Sequence, residues 1–253
     1  MAQIPRAALD FLTDEINGIS ADAKAKVARV LKELDWNDVP ACREAVCEAL
    51  NAVLDTYGEA AAQAAADFFD ASREIAVGSP LGAVPEAGRE VEATNGAVRA
   101  FVDKVNKGDV DGFNRLVLSR IDYELKRAAG YTMTQNAARD PLRPRFARVP
   151  SGSETCRFCM MLAGRGFVYH SKRAAGDVDH YHDDCDCRVV CQWSDDGVEG
   201  YDPDAIAERW YELEHEDAEA RAERKGTDPD EEYADRMRQL AEAAKRSKKR
   251  KKK

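Results

Sequence analysis

No run of 18 apolar residues interrupts this chain of 253 residues, and without one no helix of it is expected to span a membrane. The opening, MAQIPRAALDFLTDEING, lacks a basic stretch followed by an apolar one, so it does not read as a secretory signal. A reducing cytoplasm is therefore expected, where seven cysteines serve better as thiols or metal ligands than as a disulfide framework. Histidine is scarce, at four residues. Neither a Gly-rich phosphate loop nor a nucleophile paired with a base is legible, and no catalytic domain is expected.

Charge is abundant but unevenly placed. Charged residues make up 34% of the chain and the net charge is −9. The last nine residues, KRSKKRKKK, carry eight positive charges, and without them 30 basic residues face 47 acidic ones. Between Asp195 and Asp235, 17 acidic residues meet four basic ones. An acidic body with a basic tip does not coat nucleic acid along its length, but it can touch an anionic partner at one point.

Apolar spacing predicts helices over most of the chain. The first covers residues 4–34, with Gly18 and Ser20 as a candidate break. The second starts near Pro40 and presents Val46, Leu50, Val53, Tyr57, Ala61, Ala64 and Phe68 on one seam, a core stripe with alanines that allow close approach. A turn-rich connector, GSPLGAVPEAG, spans residues 78–88. A third helix carries Val91 to Val105, and a fourth runs from Phe113 to about Ala129. Cys42 and Cys47 fall in the second helix and read as buried small hydrophobes. After Gly130, RDPLRPRFARVPSG holds three prolines and four arginines and reads as an extended arm, expected to lie along an acidic helix of its own protein in preference to contacting phosphate. Two helices then open alike, at YDPDAIAERW and TDPDEEYADR, with proline in the first turn and carboxylates near the positive end. Their apolar content is thin, so they are expected to be solvated and to order against a partner.

Soft ligands concentrate in two short pieces. Cys156-x2-Cys159 is followed by 22 residues and then by His182-x2-Cys185-x-Cys187, with Cys191 trailing. Two thiolates in a C-x2-C turn converge on one ion, and zinc takes four sulfur or nitrogen ligands in a closed tetrahedron. Five candidates compete for four places: Cys156, Cys159, His182, Cys185 and Cys187. The intervening GRGFVYHS reads as a short strand or hairpin. His170 and His180 are read as solvent-facing. Asp183, Asp184 and Asp186 favour a nearby cation and oppose phosphate. With no glutamate at motif spacing, the site reads as structural zinc, not a catalytic one.

The stretch RFARVPSGSETCRFCMMLAGRGFVYHS, continuing to HYHDDCDC, resembles the minor capsid proteins of tailed phages that infect actinobacteria, a group related to the Mu F-like head morphogenesis proteins. That family's signature, C-x2-C followed by H-x2-C-x-C, is matched by Cys156, Cys159, His182, Cys185 and Cys187. The segment YGEAAAQAAADFFD at 57–70 is also similar. The resemblance covers roughly residues 40–195; YTMTQNAARD departs from the Arg-Thr-Glu element found before the first cysteine in fuller members. It implies a protein of few copies inside the phage head near the portal, made in the host cytoplasm and present in the virion. Its partners would be the portal, the major capsid protein or the scaffold.

The expected fold is mainly α: a helical bundle (1–130), then the Pro/Arg arm with a small zinc-stapled α+β module (131–198), then acidic helices ending in a basic tail (199–253). Bundle and module are each expected to fold around a core of their own. The reading is a structural, non-enzymatic capsid protein with Zn2+, contacting DNA weakly through the tail. The competing readings are a zinc-containing nucleic-acid-binding protein, supported by the tail alone, and a metal-dependent nuclease using His180 or His182 with Asp179 or Asp183.

Overall fold

The computed structural model describes residues 2–152, 155–169 and 187–250, apart from the side chains of 244 and 246–250. Four long helices build the first part: α1 (Arg6–Lys32), α2 (Val39–Val77), α3 (Val91–Asn106) and α4 (Val110–Arg139). Two of them, α2 and α4, start at aspartate caps. Asp38 accepts the Ala41 N–H at 3.0 Å with Pro40 in the first turn, and Asp109 accepts the Gly112 N–H at 2.8 Å, each satisfying an orphan donor. Gly78 (φ 84) ends α2 in the left-handed region, which glycine enters without a Cβ clash.

Two sequence readings are corrected here. α1 runs through Gly18 and Ser20 without a break, because Ser20 Oγ donates to Asp122 Oδ1 of α4 at 2.8 Å. And α4 does not stop near Ala129 but continues to Arg139. Its middle is buried on all sides from Glu124 to Gly130, so its polar groups must find partners. They do: Glu124 accepts from Thr94 Oγ1 at 2.7 Å and pairs with Arg120 and Arg127, and Lys126 pairs with Asp122.

The connector between α2 and α3 has no regular structure, yet its backbone groups are satisfied by helix side chains. Asp70 accepts the N–H groups of Leu81, Gly82 and Ala83 at 2.8–3.1 Å. Asn136 brackets Val84 through both its N–H and its C=O, and Thr132 does the same for Glu86. The loop lies flat against α4, where the φ of 56° at Gly88 and the Tyr131 ring behind it leave no room for a Cβ.

The Pro/Arg arm is a strand. β1 (Arg145–Pro150) pairs antiparallel with β2 (Cys187–Gln192), in a register that sets Pro150 opposite Cys187 and Phe146 opposite Cys191. This ribbon closes over one end of the bundle. Phe146, Val149, Val189 and Val190 share one apolar cluster with Leu9, Leu12, Ile16, Phe68, Phe69 and Met133. A second cluster fills the other end, where Val27, Leu50, Val98, Phe113 and Ile121 meet. Bundle and ribbon therefore do not fold around separate cores: a two-stranded ribbon cannot bury its own face and takes the bundle's. Against expectation, the arm does not lie along an acidic helix but pairs with β2, and its arginines divide, with Arg139 and Arg143 exposed and Arg145 half-buried. Arg148 is fully buried, Arg145 pairs with Asp195 at 2.6 Å, and Arg139 pairs with Glu86.

Three further helices follow among the described residues. α5 (Arg157–Ala163) is one short piece between the strands. α6 (Pro203–Lys225) and α7 (Pro229–Arg250) form an antiparallel hairpin. Against the expectation of solvated helices, α6 packs on α5 and buries Trp210, Glu214, Ala218 and Ala222, one per turn. None of the described helices is long and apolar enough to cross a membrane.

Candidate metal centre

The C-x2-C turn is placed by a helix start that the sequence did not announce. Cys156 is the N-cap of α5 in extended conformation, and its Sγ accepts the Cys159 N–H at 3.3 Å. One turn on, Cys159 faces inward and is fully buried. Cys187, first residue of β2, is equally buried, and its Sγ lies 2.9 Å from that of Cys159. Cys156 and Tyr123 of α4 border the pair. The Arg120 guanidinium lies over the Tyr123 ring, 4.5 Å from its centre, a cation–π contact.

Arg148 gives this pocket its electrostatic character. Two residues before Pro150 on β1, it projects to the same face as Cys187. Its Nε donates to Cys187 Sγ at 3.0 Å, with no part of the residue exposed. A guanidinium in a dry site is favoured beside negative charge, which a metal-bound thiolate would supply. Donors to ligand sulfur of this kind are the usual outer shell of a thiolate metal site. Zinc at about 2.3 Å from each sulfur would hold two of them about 3.8 Å apart, so Cys159 and Cys187, 2.9 Å apart, would have to spread by roughly an ångström to take an ion between them. The donor chemistry fits.

The ligand set is only partly in view. Cys156, Cys159 and Cys187 come together; His182 and Cys185 lie outside the described residues, as do His170, His180 and the aspartates at 179, 183, 184 and 186. Among the described residues, no group of three or more His, Cys, Asp or Glu side chains is arranged to hold a metal. Cys191 is elsewhere. Its Sγ is 3.8 Å from Met133 O in the apolar core. Burial, reinforced by the charge of Asp140, pushes its thiol far above the ordinary value, and a neutral thiol there is a small hydrophobe. Cys42 and Cys47 are buried in α2, as their spacing implied.

Sequence reasoning missed Arg148 as part of the site. The signal was present, since RFARVP alternates and puts one arginine in phase with the apolar residues Phe146 and Pro150. It also missed Tyr123, which no local pattern separates from an ordinary core aromatic.

Residues 3–213 match the model of the family described as VG15 protein. No curated protein and no solved structure matches.

Proposed function

This chain belongs to the VG15 protein family, a viral protein family, and from that premise we propose that it is a phage minor capsid protein acting in head morphogenesis. The observation that carries the reading is the extent of the match: residues 3–213 take in the helical bundle, the β-ribbon and the cysteine cluster. In this reading the bundle docks near the portal inside the head, against portal, major capsid or scaffold protein. The cysteine cluster is a structural Zn2+ centre drawn from Cys156, Cys159, His182, Cys185 and Cys187. Zinc, when bound, supplies a cross-link between α5 and β2 and neutralises the thiolates. Arg148 donates to the Cys187 sulfur and Tyr123 packs beside the pair.

The basic tail adds one contact. Residues 245–253 carry eight positive charges that no core can bury, and they are proposed to touch packaged DNA weakly and without sequence preference. The acidic residues of α6 and the first half of α7 limit that contact by repulsion.

Mass spectrometry of purified virions, with cross-linking, tests the assignment. Detection of this chain at a few copies per particle, cross-linked to portal or shell protein, is expected. Its absence from particles while it is present in infected cells rules the capsid role out.

A further inference from the structure

The C-terminal hairpin meets the rest of the protein in series. α7 rests on α6, and α6 packs on α5. α5 is in turn held by β1 and by the sulfurs at its start. At the α5–α6 step three contacts converge. Gly164, just after α5, approaches so closely that a Cβ there lies 2.9 Å from Ala207 Cα. The Tyr201 hydroxyl donates to Ala163 O. Arg157, between the two cysteines of the C-x2-C turn, donates from Nη1 to Leu213 O at 2.7 Å and pairs with Asp217 at 2.8 Å.

The same guanidinium lies 3.6 Å from Glu214, whose other carboxylate oxygen takes Arg236 Nε of α7 at 3.0 Å. Glu214 is only 2% exposed. One arginine from α5 and one from α7 thus share a buried carboxylate on α6. Such a carboxylate is well placed only while its cations are there; withdrawing one leaves a buried charge short of its partner. Glu214 lies immediately beyond the residues matched by the family, as does all of α7.

We propose that the α6–α7 hairpin is latched to the cysteine cluster through Arg157, so that loosening the C-x2-C turn releases the hairpin together with the basic residues at the end of α7. The latch is a conformational device. Its metal-dependent arm rests on the zinc reading above; its Arg157 arm does not. Coupling of this kind is reciprocal: a released hairpin also weakens the order of α5.

Hydrogen exchange of the full chain, with native mass spectrometry counting bound metal, tests it. Chelation that strips the metal is expected to raise exchange in α5 and equally in α6 and α7, while α3, remote from the cluster, is unchanged. Arg157→Met is expected to lower protection of α6 and α7 roughly tenfold, the scale of one charge-assisted hydrogen bond. Arg236→Met, which acts from the far side of Glu214, should loosen α7 more than α6. The latch is overturned if chelation loosens α5 and leaves α6 and α7 as they were, or if Arg157→Met is silent. A protein purified without metal sinks the zinc reading only, and Arg157→Met still decides the latch. Where Arg157→Met disturbs α3 as well, Asp217→Asn, remote from the sulfurs, decides it: the same peptides loosen less, or the proposal fails.

Discussion

Replacing Asp140 with asparagine removes the charge at the junction of α2, α4 and β2. Asp140 is fully buried at the end of α4. It accepts from Arg73 Nε at 2.8 Å, from Trp193 Nε1 at 2.7 Å and from the Leu142 N–H at 2.9 Å. Arg73 spends its remaining capacity on the Ser79 and Pro80 carbonyls at 2.6 and 3.4 Å, so it is not stripped bare by the change. Breaking a buried pair from one side costs about 3–5 kcal/mol, and the retained carbonyl contacts place this case near 3. Of a total stability of about 5–15 kcal/mol, that is a large share. In urea, with a slope of about 3 kcal/mol/M for a chain of this size, the midpoint falls by about 1 M. Trp193 donates to the same carboxylate, so its fluorescence follows the transition directly.

The pH dependence has a definite sign. Burial alone raises the Asp140 carboxyl, but the hydrogen bonds from Arg73, Leu142 and Trp193 outweigh it and hold the group below the usual carboxylate range. Its stabilisation is therefore complete above the unfolded value of about 3.9 and is lost as pH falls through the lower folded value. The difference between wild type and Asp140→Asn should be constant near neutrality and shrink toward pH 2. A midpoint within about 0.3 M of wild type refutes the argument. So does a double-mutant cycle in which Arg73→Met and Asp140→Asn simply add.

Native mass spectrometry should find about one zinc per chain, lost with chelator; a folded cluster without metal refutes that centre. Cys159→Ser should abolish zinc binding and, because the ribbon shares its core with α1, α2 and α4, lower the melting temperature of the whole fold; an unchanged melting temperature argues against the shared core. Gly164→Ala, which drives a methyl into Ala207, should cost about 1–3 kcal/mol, measured by denaturation; a neutral result means α5 and α6 do not touch as described. Deleting residues 245–253 should remove salt-sensitive binding to duplex DNA, whose slope of roughly −0.9 per phosphate contact should correspond to fewer than eight contacts. Equal binding by the shortened chain at low salt turns attention to Arg139, Arg143 and Arg145, the arginines of the arm that are not fully buried.

Local chemistry was enough to locate most of the long helices, though not where α4 ends or that α5 exists. The seam from Val46 to Phe68, the proline near the start of α2 and the Asp-Pro-Asp starts of α6 and α7 each act within a few residues, so they read directly from the sequence. The cysteine spacing likewise pointed to Cys156, Cys159 and Cys187 before their convergence was in view. What the sequence alone did not decide depends on partners far along the chain. α4 continues past Gly130 because α1, α2, the connector and the ribbon bury it on every side and pay back the glycine's entropy. The arginine-rich arm becomes a strand because β2, some 40 residues later, supplies its ladder. Arg148 became part of the cysteine site through cross-strand register, and Arg157 met Glu214 through helix packing. Periodicity reports which face of a segment is apolar; it does not report what that face meets. That choice belongs to the tertiary structure, where a buried charge is tolerated only if a distant residue arrives to match it.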